Sequence, residues 1–124
     1  MSMTDELTAA EYRDLTSDER RLLEWLIANG RPAASACASQ LPGVKVVARC
    51  TCGCPTLDLA IGGKQSRTMG ASTILADAVG HSPESVPINV ILHAREGEIS
   101  ELEVISSDET EVFSLPTPEM LKVV

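Results

Sequence analysis

Three of the four cysteines lie within five positions of the sequence, in the segment "CTCGC" at residues 50–54. Thiolates are soft ligands for zinc and copper(I), and clustered thiols also occur at redox sites. Two more distant side chains could complete a tetrahedral site. The candidate metal ligands are therefore Cys50, Cys52, Cys54, Cys37 and His81.

The residues around these thiols favour a structural role instead. Apolar side chains alternate from Val44 to Cys50, which predicts a β-strand. Side chains two residues apart on a strand emerge about 6.6 Å apart, whereas two sulfurs on one zinc ion lie about 3.8 Å apart. Only a bend at Gly53 would bring Cys52 and Cys54 together. We expect Cys50 and Cys52 to act as small apolar side chains, with no cofactor bound; zinc is the alternative.

Composition and charge exclude several classes of protein. A chain of 124 residues fits a single domain, 1–124, and we expect looser order at 1–7 and 117–124. The formal charge of −8 argues against binding to nucleic acid, which needs a basic patch. No apolar run is long enough for a membrane span, and the acidic N-terminus does not have the order of a secretory signal. We therefore expect a cytoplasmic protein.

Helix signals are concentrated near the N-terminus. Thr16 followed by Glu19 has the spacing of a capping box, and Gly30 then Pro32 ends the segment. A helix is predicted over 17–29, with one apolar stripe. A second, weaker helix of small residues is predicted to begin near Pro32.

Two hairpins are predicted downstream. A turn at Gly53 and Cys54 would place Cys50 opposite Leu57, Ala48 opposite Leu59 and Val46 opposite Ile61. The segment 72–80 is taken as a strand, with a short helix as the alternative.

The second hairpin spans the segment "VPINVILHAREGEISELEVISSDE". A three-residue turn, Arg95-Glu96-Gly97, would place Val90 opposite Leu102 and Ile88 opposite Val104. A two-residue turn is rejected because it would mix apolar and polar faces.

These elements predict an α+β fold, with N-terminal helices packed on one face of a four- to five-stranded, mostly antiparallel sheet. The other face would carry Glu101 and Glu103, neutralised by Lys45 and Arg49. It would also carry more branched apolar surface than water tolerates well. We expect a protein partner or a second copy of the chain to cover it, at Val47, Ile91, Ile99 and Ile105.

The segment Arg49-Cys50-x-Cys52-Gly53-Cys54-Pro55-Thr56-x-Asp58 resembles a family of short bacterial α+β proteins with no assigned activity. The resemblance extends over about residues 16–116 and implies a bacterial α+β domain, with no catalytic residue or cofactor.

Together these observations favour a small, cytoplasmic, non-enzymatic module that binds a protein partner or itself. No nucleophile and base stand at a recognisable spacing. The alternative is a metal-binding or redox-active thiol protein centred on Cys50, Cys52 and Cys54.

Elemental analysis of purified protein separates these two interpretations. Since the thiols are expected to line the core, the protein should carry less than one equivalent of zinc or copper. Stoichiometric metal that is lost in Cys52→Ser would contradict the expectation.

Overall fold

The computed structural model describes residues 4–6, 12–50, 53–62, 72–110 and 112–124. They form an α+β fold with helices α1 (Ser17–Ala28) and α2 (Pro32–Ser35) and 3-10 turns at Ala38–Gly43 and Pro118–Met120. The strands are β1 (Thr4–Glu6), β2 (Arg13–Asp14), β3 (Val44–Cys50), β4 (Leu57–Ile61), β5 (Thr73–His81), β6 (Pro87–Arg95), β7 (Glu98–Ser106) and β8 (Leu121–Val123).

All eight strands belong to one sheet, in the order β1-β3-β4-β7-β6-β5-β8, with β2 also paired to β3. Every strand pair is antiparallel. The prediction of four to five strands is therefore too low. The additional strands β1, β2 and β8 have two or three residues each, too few to show a period of two.

The predicted capping box of α1 is confirmed. The backbone N–H of Glu19 donates to Thr16 Oγ1 (3.1 Å), and the backbone N–H of Thr16 donates to Glu19 Oε1 (2.9 Å). Arg13 on β2 adds two hydrogen bonds to the same carboxylate, at 2.8 and 3.0 Å. Burial raises the pKa of Glu19, whereas the hydrogen bonds with Arg13 and Thr16 lower it by a larger amount. The pKa of Glu19 is therefore below its usual value. One carboxylate thus links the start of the helix to the sheet.

The main core lies between α1 and one face of the sheet. Leu22, Leu23 and Leu26 of α1 are almost fully buried, and they belong to one core cluster with Val90 and Leu92 of β6, while α1 itself packs against β5. The four residues of α2 and the following 3-10 turn extend this layer, so the second predicted helix is much shorter than expected.

The turn between β6 and β7 differs from the prediction. Arg95 pairs with Glu98, so the turn has two residues, and Glu96 and Gly97 both have positive φ angles of 51° and 81°. This is the pattern of a type I′ turn, whose twist suits a hairpin. Ser100 is an extra residue on β7 with no partner on β6, which is a β-bulge. Val90 therefore pairs with Val104 instead of with Leu102. This bulge lets a two-residue turn keep apolar side chains on one face.

A second bulge changes the register between β3 and β4. Val46 pairs with Leu59 and Val44 pairs with Ile61, while Val47 is the extra residue. The predicted pairs of Cys50 with Leu57, Ala48 with Leu59 and Val46 with Ile61 are therefore wrong. The alternation of the sequence cannot reveal a residue that is added to one strand only.

Short strands cover both edges of the sheet. On one side, β1 and β2 lie along successive parts of β3. On the other, β8 pairs with residues 78–80 of β5, and the backbone N–H of Arg31 donates to the Leu75 carbonyl at 2.8 Å. Neither β3 nor β5 thus presents a long free edge to other chains.

Gly80→Ala should detach β8 from β5. A Cβ atom at position 80 would overlap the carbonyl oxygen of Met120. We expect the free energy of unfolding, measured with urea, to fall by roughly 1–3 kcal/mol. In the control Gly43→Ala, the nearest atom, Ile61 Cγ2, would lie 3.5 Å from the new Cβ. Equal stability of the Gly80→Ala protein and the wild type would contradict the close approach.

Candidate interaction surface

A row of polar side chains crosses the face of the sheet opposite α1. Asp58 on β4 is the direct partner of Glu101 on β7, and Glu101 is the direct partner of His93 on β6. Neighbouring strands lie about 4.8 Å apart, so these three side chains emerge side by side. Glu103 follows Glu101 on the same face and pairs with Ile91. We call this side of β4, β7, β6 and β5 the outward face.

His93 and Glu103 form the closest polar contact of the outward face. His93 Nε2 lies 2.8 Å from Glu103 Oε1, and the two side chains are 13% and 32% exposed. His93 is directly opposite Glu101 in the register, but its hydrogen bond goes to Glu103. The imidazole is therefore held in place by a carboxylate on the neighbouring strand.

Two carboxyl groups in the row are unfavourably placed as anions. Burial raises the pKa of Asp58, and Arg95 offsets part of that effect. Burial also raises the pKa of Glu101; the charges of Glu103 and Asp58 raise it further, while His93 and Arg95 lower it. Glu101 thus lies between two like charges on a half-buried surface.

The expected neutralisation of the two glutamates by Lys45 is not what the structure shows. Lys45 Nζ lies 2.5 Å from Asp14 Oδ1, so this cation is bonded to β2 at the sheet edge. Arg49 is opposite Leu57, on the helix side of the sheet, where it is exposed and takes part in an interaction. The basic residue that acts on the row is Arg95.

Some buried polar atoms in this part of the sheet have no hydrogen-bond partner among the described residues. They are Nδ1 of His93, Oδ1 of Asp77 and Oγ of Ser100. Asp77 pairs with Ile91, which pairs with Glu103, so it shares the outward face. Buried polar groups are nearly always hydrogen-bonded. These three atoms are therefore enclosed among the described residues without a hydrogen bond.

The predicted apolar interface is only partly at the surface. Val47 and Ile99, which were expected to contact a partner, are buried, with 2% and 1% exposure, and present almost no surface. Ile99 belongs to the main core because the bulge at Ser100 puts it on the same side as Leu102. Ile91 is half-buried on the outward face, and Ile105 is 45% exposed.

Three of the five candidate metal ligands are described in full, and they lie apart. Cys37 Sγ is 3.6 Å from the carbonyl oxygen of Gly97, at the β6–β7 turn, and burial raises the pKa of this thiol. Cys54 lies in the β3–β4 turn, at the opposite end of the sheet, where Thr56 bonds to the backbone of Val104.

The third described candidate is His81, at the end of β5. Strands β7 and β6 lie between β4 and β5, so β5, which carries His81, is roughly 14 Å from β4. The side chain of Cys50 and all of Cys52 lie outside the described residues. Within the described part of the chain, no three His, Cys, Asp or Glu side chains are arranged to hold a metal ion.

The row of Asp58, Glu101 and His93 was not identified from the sequence. Alternation placed Glu101 and Glu103 on one face, but Asp58 was named only as part of the segment that carries the family resemblance. Its place beside Glu101 depends on the pairing of β4 with β7, which are separated by two strands along the chain. Such a long-range pairing has no local sequence signal.

Comparison with known proteins adds no further assignment. No family model, curated protein or solved structure matches the chain. Among the described residues, no helix is both long and apolar enough to cross a bilayer.

Glu101→Gln should stabilise the protein at neutral pH. Because the folded-state pKa of Glu101 is raised, its protonated form contributes stability below the ordinary value of 4.5, and this contribution is lost as the pH rises through the folded-state value. The variant should exceed the wild type at pH 7 by roughly 0.2–1 kcal/mol, as for a cross-strand pair, and the difference should vanish near pH 4. Urea titration at both pH values measures it, with Glu24→Gln on the exposed side of α1 as control. A less stable Glu101→Gln protein at pH 7 would contradict this account.

Proposed function

We propose that this chain is a small, non-enzymatic, cytoplasmic bacterial module that binds a protein partner on its outward face. The observation that carries the proposal is the state of that face: half-buried carboxylates, disfavoured as anions by burial and by one another, lie beside apolar Ile91 and Ile105. A surface that combines exposed apolar groups with crowded like charges is suited to a partner.

The edges of the sheet are less suited to this role. Partners that bind by strand addition need a free edge strand. Here β1 and β2 lie on the outer side of β3, and β8 together with the Arg31 N–H lies on the outer side of β5. Docking on the face is therefore favoured over pairing at an edge.

Association of two copies through the outward face is disfavoured at neutral pH. A twofold contact brings the same patch of each subunit together, so Glu101 and Glu103 would meet a second set of carboxylates. Like charges across an interface oppose binding. A different protein is thus the better partner, and light scattering at micromolar concentration should give the mass of a monomer.

A matched pair of variants tests the docking surface. Proteins captured from a bacterial lysate are identified, purified and titrated against the wild type, Ile105→Arg and Val112→Arg by calorimetry. Ile105 is 45% exposed on the outward face, whereas Val112 is 73% exposed and lies outside the sheet. Ile105→Arg should weaken binding about tenfold or more, since truncating or blocking a central contact costs over 1 kcal/mol.

Val112→Arg carries the same change of charge and should bind like the wild type. Equal affinity of both variants would show that the partner binds elsewhere. Failure of every purified candidate to bind the wild type would contradict the interaction module itself.

A further inference from the structure

The charges on the outward face are unevenly distributed. Among the residues whose side chains are described, the register places six carboxylates on this side of the sheet, namely Asp14, Asp58, Asp77, Glu98, Glu101 and Glu103. Apart from Lys45, which is bonded to Asp14, the basic residues there are Arg95, opposite Glu98, and Lys122 on β8, opposite Val79. The carboxylates outnumber the cations on this side, and Arg95 acts on both Asp58 and Glu101.

Several other basic side chains of the described chain are bonded to carboxylates away from this face. Arg13 is held by Glu19 at the start of α1, and Arg21 binds Glu119 at 2.6 Å beside the tail. These contacts hold the two cations at the helix side of the molecule. Arg13 and Arg21 therefore do not neutralise the carboxylates of Asp58, Glu101 and Glu103.

We propose that the partner presents a segment with alternating basic and apolar side chains to the row formed by Asp58, Glu101 and Glu103. This inference rests on the proposed docking of a protein at the outward face and specifies its chemistry. A guanidinium or ammonium group placed there meets closely spaced carboxylates and removes the repulsion between them.

The spacing of the row fits an extended basic segment. Glu101 and Glu103 are two residues apart on β7, a separation of about 6.6 Å, which equals the i to i+2 separation along an extended peptide. Asp58 lies one strand away from Glu101, about 4.8 Å. Ile91, opposite Glu103, and Ile105, the next outward residue of β7, offer apolar contacts beside the carboxylates. Two arginines at alternate positions can thus reach the row while a neighbouring leucine contacts isoleucine.

The test uses the full chain and two fluorescein-labelled peptides, one with the repeat Arg-Leu-Arg-Leu-Arg and one with Glu-Leu-Glu-Leu-Glu. The face variant combines Asp58→Asn, Glu101→Gln and Glu103→Gln. The control variant combines Asp18→Asn, Glu24→Gln and Glu109→Gln, which removes three exposed carboxylates elsewhere and gives the same net charge. Fluorescence anisotropy measures the dissociation constants at two salt concentrations.

The wild type should bind the arginine peptide and not the glutamate peptide. The dissociation constant of the arginine peptide should be at least tenfold higher for the face variant than for the wild type, and less than threefold higher for the control variant. Added salt should weaken the binding of the peptide to the wild type more than its binding to the face variant. An equal loss in both variants would show attraction to net charge alone and overturn the inference, as would absence of binding to the wild type. Amide shifts of the wild type on adding the peptide give a second readout that needs no variant; they should cluster on β4, β6 and β7, and a cluster elsewhere would overturn it.

The same variants separate this inference from the proposed function. A purified partner could fail to bind Ile105→Arg and yet bind the face variant as tightly as the wild type. In that case the outward face docks a partner that is not basic. That result would overturn the basic segment and leave the docking surface intact. If both variants bind like the wild type, the docking surface fails as well.

Discussion

The structure depends on the packing of a single helix layer against one face of a large sheet. Leu22, Leu23 and Leu26 of α1 share one buried core with the inward apolar residues of β5, β6 and β7, and α1 packs against β5; burial of this core removes apolar surface from water. The described helices offer no comparable apolar stripe for the opposite face. The two faces of the sheet therefore have different chemistry, and the outward one keeps its charged and polar side chains.

Bulges make this division possible in a sequence that does not alternate strictly. Val47, Leu75 and Ser100 are each left out of the register of their strands. At each bulge the alternation is interrupted, so that neighbouring apolar residues such as Leu75 and Ala76 can both be buried. Of the four branched residues expected on the outward face, Val47 and Ile99 are buried in this way, while Ile91 and Ile105 stay there beside the acidic residues.

The sequence predicted the local elements well and the pairings between them less well. The helix cap at Thr16 and Glu19, the strands from Val44 onward and the positive φ of Gly97 follow from short patterns, and the structure confirms them. The registers and the strand β8 depend on contacts between distant parts of the chain. For the same reason the sequence drew attention to the adjacent thiols, while the row of Asp58 and Glu101 comes together only through the pairing of β4 with β7.

The central claim is that the carboxylates of the outward face repel one another and are suited to a cationic partner. Carbon-detected NMR titration of the side-chain carboxyl groups of Asp58 and Glu101 tests it most directly. In the free protein both pKa values should lie above their ordinary values, and saturation with the arginine peptide should lower them because a nearby cation favours the charged form. Ordinary pKa values that do not move on adding the peptide would contradict the account.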